Sequence, residues 1–148
     1  MTLQERLMDD LKSAMRAGDE LRKSTLRMLR SAIGYREIEV QHTLSDDETL
    51  DVIAKQVKQR QDSISEYTKG RRQDLVDQER AEMEILMTYL PKQLTREEIA
   101  ELARAAVQKL GVTDLKQQGM VMKELMPHVK GRADGKLVSE VVRQLLGG

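Results

Sequence analysis

The chain has no cysteine, no tryptophan, no phenylalanine and only two prolines among its 148 residues. Without cysteine there is no disulfide, no thiol nucleophile and no thiolate metal site. A reducing compartment fits such a chain. Aromatic residues make up 2% of it, so its core must be assembled from many aliphatic contacts rather than from a few large anchors. The scarcity of proline leaves long uninterrupted stretches, which favours helices. An excess of one charge sign is also missing. Twenty-five Lys and Arg are offset by 25 Asp and Glu. No whole-protein field draws the chain to nucleic acid, and any such contact needs a local patch. No apolar run is long enough to span a membrane. The opening MTLQERLMDDLKSAM spaces its apolar residues like a helix, not like a signal sequence. The expectation is a soluble cytoplasmic protein.

What is there is helical periodicity from end to end, with no strand-like alternation, and this predicts an all-α fold. Leu3, Leu7, Leu11 and Ala14 share one face, and Gly18 ends that helix. Asp19 caps a second helix. Leu21, Met28, Ala32 and Tyr35 run along one side of it, with Leu26, Leu29 and Ile33 beside them. So wide an apolar arc predicts the most buried helix of the N-terminal part. Ser45 with Glu48 forms a capping box, and Asp46 and Asp47 suit the positive end of the dipole. The third helix runs to about Thr68, and KGRR turns the chain into a fourth, from about Gln73 to Leu90 before Pro91. A second capping box, Thr95 with Glu98, opens a fifth helix that Gly111 closes. The sixth starts near Thr113 or Asp114 and ends at Pro127, with Gly119 allowing close packing; the seventh starts at Asp134. The expected architecture is a four-helix N-terminal domain with a long helical hairpin, residues 1–93, and a small three-helix domain, residues 94–148.

The hairpin seam is heptad-like at Leu50, Ile53, Val57, Ile64 and Tyr67, with Arg60 breaking the apolar rule. In the fourth helix Val76, Met83, Leu86 and Leu90 are broken in the same way by Glu79. With the turn centred near Gly70, position 60 falls opposite position 80. This predicts an Arg60–Glu79 ion pair that sets the register.

Chemistry-bearing patterns are few. His42 and His128 stand in no ligand spacing, so no metal is expected. No glycine-rich loop follows a strand and no serine sits on a nucleophile elbow, so neither a cofactor nor a catalytic residue is expected. Basic residues cluster in three places: Lys23, Arg27 and Arg30; Lys69, Arg71 and Arg72; and Lys123, Lys130, Arg132 and Lys136. From residue 95 onward nine Lys or Arg meet seven Asp or Glu, a net of +2 against −2 for the rest. In the third cluster Gly131 and Gly135 permit close backbone approach, and Asp134 caps a helix with outward N–H groups. Such a set suits phosphate contact without sequence readout.

The stretches RQDSISEYTKGRRQDLVDQERAEMEILMTYLPKQLTREEI and GMVMKELMPHVKGRADGKLVSEVVRQLL strongly resemble the YqeY family of small bacterial proteins. The resemblance covers essentially the whole chain, and YLPKQL and KGRADGKLV are its most specific parts. From about residue 95 the chain is similar to the tail domain of GatB, the B subunit of the glutamine-dependent tRNA amidotransferase. The resemblance implies a two-domain helical fold and a tRNA-associated role without catalysis of its own. The tail holds tRNA, and the amidation chemistry belongs to other domains. Lys123, Lys130, Gly131, Arg132 and Lys136 are the expected RNA contacts, made weakly and in a salt-sensitive way. A protein–protein adaptor that docks its N-terminal helices on a tRNA-charging or amidating enzyme is the alternative. A stand-alone carbon–nitrogen ligase with glutamine as amide donor is the least favoured reading. Where the GatB tail often carries Pro after its capping residue, this chain has Gly135. Proline presets the first helical turn there, and glycine leaves it looser.

Overall fold

The structure, a computed structural model, describes residues 1–147. It is all-α. The elements are α1 (Leu3–Ala17), α2 (Glu20–Val40), α3 (Asp46–Lys69), α4 (Gln73–Met87) and α5 (Arg96–Leu110), then a 3-10 turn (Leu115–Gln117), α6 (Gln118–Val129) and α7 (Gly135–Leu145). The chain divides into two compact units, Met1–Leu90 and Pro91–Gly148.

Helix boundaries follow local chemistry. Three helices open on a complete capping box, Thr2 with Glu5, Ser45 with Glu48 and Thr95 with Glu98. Each cap satisfies backbone N–H groups that the helix leaves orphaned, worth about 1 kcal/mol. Gly18 and Gly111 close α1 and α5 in the left-handed region, at φ 68° and 66°.

In the first unit Leu7, Leu11, Leu26, Leu29, Ile53 and Leu86 form the centre of the core. Helix α2 buries a narrower face than its composition predicts: Thr25, Leu26, Leu29 and Ile33. Leu21, Met28 and Tyr35 are 39%, 51% and 71% exposed. The Thr25 hydroxyl donates to the Leu21 carbonyl at 2.8 Å, which lets a polar residue occupy the buried face. The loop between α2 and α3 is held by Glu37, whose carboxylate accepts from the Leu44 backbone N–H at 2.9 Å and from Gln4 Nε2 at 3.1 Å. Those hydrogen bonds, the Leu44 one first, hold the Glu37 carboxyl below its ordinary pKa.

The α3–α4 hairpin corrects the expected register. Arg60 pairs with Glu82, not with Glu79; Arg60 Nε lies 3.5 Å from Glu82 Oε2, and both residues are 6% exposed. The left-handed turn residue is Arg71, at φ 56°. Centring the turn on position 71 instead of 70 moves the partner of position 60 by two, to Glu82. Glu79 lies half-buried beside the pair. Burial first, and then the Glu82 charge, push the Glu79 carboxyl above its ordinary pKa, while Arg60 pulls it back. Helix α4 also stops at Met87 rather than Leu90, and the chain turns through Thr88, Tyr89 and Leu90.

In the second unit Ile99, Ala103, Val121, Leu125, Val129, Val138 and Val142 are fully or almost fully buried. Each such Ile, Leu or Val side chain gains about 1.5–3 kcal/mol by leaving water. Pro127 does not end α6, which continues to Val129. Proline near a helix end removes only one hydrogen bond, and the fully buried Val129 anchors the last turn in the core. A Cβ placed on Gly119 would meet nothing within 4 Å, so that glycine faces open space and makes no close helix contact.

Candidate nucleic-acid interface

The two segments most specific to the family resemblance meet in the second unit. After Val129 the chain leaves α6 through Lys130 and turns at Gly131, whose φ of 76° suits glycine. The Arg132 and Ala133 N–H groups both donate to the Val129 carbonyl, at 2.9 and 3.1 Å. The PKQL segment then bonds to this loop from the other side. The Leu94 N–H donates to the Arg132 carbonyl at 2.7 Å, and Gln93 Nε2 donates to the Gly131 carbonyl at 3.1 Å. Leu94 is buried in the core, so the junction is anchored from beneath. Asp134 caps α7 as expected, its Oδ1 accepting from the Lys136 N–H at 3.2 Å.

The junction is held by these backbone hydrogen bonds, and its cations are exposed. Lys130, Arg132 and Lys136 are exposed. So is Lys92, which the sequence reading left out although its motif was singled out. Lys92 and Arg132 both act on Glu98 at the start of α5. The Glu98 carboxyl is held below its ordinary pKa first by hydrogen bonds from Thr95, with smaller pulls from Lys92 and Arg132. The unit that starts at Pro91 includes Lys92, so ten Lys or Arg face seven Asp or Glu, a net of +3. Lys123 is exposed on α6. It lies two turns before Lys130, about 10 Å along the axis, on the helix flank rather than in the loop.

The other basic clusters differ from one another. At the hairpin tip Lys69 pairs with Glu66 at 3.5 Å, and Arg72 grips Asp74 with two hydrogen bonds of 3.2 and 3.1 Å. On α2, Lys23 pairs with Glu20 at 2.9 Å, whereas Arg27 and Arg30 are exposed and enter no ion pair among the described residues.

One polar cluster carried no sequence signal. The Tyr89 hydroxyl donates to Asp10 Oδ2 at 2.6 Å, Arg22 lies 3.8 Å from the same oxygen, and the Arg6 guanidinium sits 4.8 Å above the ring. Burial first, then the Asp10 hydrogen bond and charge, push the Tyr89 hydroxyl up to about 12. A phenol held protonated in this way acts as a clasp between the end of α4 and α1. The histidines are placed singly: His42 Nε2 is 3.4 Å from Glu48 Oε2 in the α2–α3 loop, and His128 is exposed near the end of α6. Among the described residues no group of three or more His, Cys, Asp or Glu could hold a metal ion, and no helix is long and apolar enough to cross a membrane.

A family model described as Yqey-like protein matches residues 4–146. A relative from Pyrenophora tritici-repentis, named altered inheritance of mitochondria protein 41, mitochondrial, is 32% identical over 146 residues, covering 96% of this chain and 80% of its own. Proteins of the same name from Vanderwaltozyma polyspora and Lachancea thermotolerans are 44% and 47% identical over 85 residues. Those matches cover 57% of this chain and 46% of each relative, so the chain aligns with about half the length of these two. The names place these fungal relatives in mitochondria and lend no support to a bacterial or cytoplasmic setting.

Proposed function

The chain belongs to the YqeY-like protein family, and on that premise we propose that its second unit is a non-catalytic module that contacts the backbone of tRNA. It would serve tRNA directly or an enzyme that charges or amidates it. The observation that carries the reading is the junction of PKQL with the 130–136 loop. Two long-range hydrogen bonds fix the backbone there and gather Lys92, Lys130, Arg132 and Lys136 around it. Cations on a preorganised loop suit phosphate and sugar contacts, which position RNA without reading its sequence. No ligase reaction is assigned to this chain, because in the amidotransferase that the unit resembles the amidation chemistry belongs to other domains. The compartment follows from the partner, and for the fungal relatives the printed names give the mitochondrion.

The test is a gel shift with total tRNA at low and then physiological salt. Lys130→Ala/Arg132→Ala/Lys136→Ala is run alongside, with Lys92→Ala added as a fourth substitution in a second variant. Saturable binding that weakens with salt and falls with each variant is the expected result. No binding at low salt would sink the direct contact.

A further inference from the structure

The outer face of α2 is built like one half of a helix pair; Met28 Sδ touches Arg60 Nη2 at 4.0 Å, and the rest of the row is left to solvent. Leu21, Met28 and Tyr35 recur every seven residues, with Ser24, Ser31 and Ile38 three positions after each. This is the a/d pattern of a packed helix seam. The row is exposed: Met28 is 51%, Tyr35 71% and Ile38 74% exposed. The two serines are small enough for a second helix to approach closely. On the opposite flank of the helix, α2 spends its other apolar residues, Leu26, Leu29 and Ile33, on the core. Most of the outer row is therefore not used by the fold, and a row of exposed apolar side chains of this kind marks an interaction surface.

Charge selects the occupant. Arg27 and Arg30 stand beside the row, one turn apart, exposed and without an ion-pair partner among the described residues. The Glu39 carboxylate near the other end is taken up by Arg36 at 3.2 Å. A second copy of the chain fits badly. In an antiparallel isologous pair the Arg27 flank of one copy meets the Arg27 flank of the other, and in a parallel one it meets the Thr25 and Ala32 side, which carries no carboxylate at that height. RNA fits less well, because the row offers it a single aromatic plane, Tyr35, among Leu21, Met28 and Ile38, which cannot stack on bases. We propose that the outer face of α2 docks an amphipathic helix of a partner protein, with an apolar seam against Leu21, Met28, Tyr35 and Ile38 and acidic side chains against Arg27 and Arg30. This rests on the first unit alone and stands independently of the RNA contact assigned to the second.

The experiment uses the full chain and two labelled synthetic helical peptides of α2 length. Both carry a Leu/Ala seam; one has Glu along its flanks and the other has Lys. Fluorescence anisotropy is read at low and physiological salt. The Glu peptide is expected to bind saturably and the Lys peptide to bind far more weakly. Arg27→Glu/Arg30→Glu should weaken the Glu peptide by about tenfold and reverse the preference, as expected when rim charges are inverted. Met28→Ser/Tyr35→Ser/Ile38→Ser should abolish both. These side chains are exposed, and circular dichroism verifies that each variant folds. Three results would overturn the proposal: no difference between the peptides, a dimer of the free chain that Tyr35→Glu dissociates, or loss of tRNA binding in Arg27→Glu/Arg30→Glu alone.

Discussion

Removing the Glu82 carboxylate should be among the most damaging single changes in the first unit. Arg60 and Glu82 are each 6% exposed, and Arg60 Nε has no hydrogen-bond partner beyond the ion pair at 3.5 Å. Its other contacts are weak: Gln56 Oε1 at 3.4 Å and Met28 Sδ at 4.0 Å. Glu82→Ala leaves a buried guanidinium uncompensated, which costs about 3–5 kcal/mol. The nearby Glu79 charge offsets part of this, so the lower end, about 3 kcal/mol, is expected. For a unit of this size that corresponds to a fall in Tm of roughly 12–24 °C. Arg60→Met/Glu82→Leu should recover most of the loss, because a well-packed apolar pair avoids the desolvation penalty altogether. The assay is built into the sequence. All three tyrosines, Tyr35, Tyr67 and Tyr89, lie in the first unit and the chain has no tryptophan, so tyrosine emission during urea unfolding of the full chain reads this unit alone. A Glu79→Ala variant that loses as much stability as Glu82→Ala would refute the register and the reasoning behind it.

Glu79 itself gives a pH signature. Its folded pKa is raised, chiefly by burial, so its ionised form weakens the folded state at neutral pH. Glu79→Gln should therefore stabilise at pH 7, and the gain should fade as pH falls through the raised folded value toward the unfolded value near 4.5. Urea midpoints across that range measure it. Four phosphate contacts by Lys92, Lys130, Arg132 and Lys136 predict a log–log salt slope near −3 for tRNA, or about a hundredfold loss between 50 and 200 mM salt; anisotropy titrations give the slope, and a value near zero rejects the contact. Gly135 is the first residue of α7, and a Cβ there meets nothing within 4 Å. Gly135→Pro should raise stability by about 0.4–1 kcal/mol, read as a higher melting temperature by circular dichroism. Lys69→Ala/Arg71→Ala/Arg72→Ala should change tRNA affinity less than Lys130→Ala/Arg132→Ala/Lys136→Ala in the same gel shift.

Capped helix starts and the glycine stops at Gly18 and Gly111 were legible in the sequence because their causes are local, whereas the ends of α4 and α6 were not. Ser45 and Glu48, or Thr95 and Glu98, are three positions apart, and each pair closes its box from within a single turn. The register of the α3–α4 hairpin was not legible in the same way. It depends on whether Gly70 or Arg71 takes the left-handed conformation, and Arg71 takes it although glycine has the better intrinsic preference. One step in the turn becomes two along the partner helix, enough to exchange Glu79 for Glu82. Helix α2 shows another limit. Periodicity reveals apolar arcs, but Leu26 and Met28 look alike until the neighbouring helices choose between them. At the candidate site the cations of the 130–136 loop were legible as composition. The contribution of Lys92 and Gln93 was not, because the Leu94–Arg132 hydrogen bond that brings them in spans 38 positions.

Three basic clusters that count alike in the sequence become three different objects once their partners are seen. A Lys or Arg that contacts a phosphate releases a counterion condensed on the nucleic acid, and that release is a driving force. A cation already held by a carboxylate must first give that contact up. At the hairpin tip Arg72 holds Asp74 through two hydrogen bonds and Lys69 faces Glu66, which leaves Arg71 without an ion pair among the described residues. On α2 two arginines are free, but they flank an apolar row that RNA does not use. Around the 130–136 loop Lys92, Arg132 and Lys136 enter no ion pair among the described residues, and the backbone beneath them is fixed by its own hydrogen bonds. The cost of ordering that loop is met by folding, before any ligand arrives. Exposed cations on a loop held by its own hydrogen bonds separate this cluster from the other two, and for that reason the proposed RNA contact falls to the second unit and the proposed helix-docking face to the first.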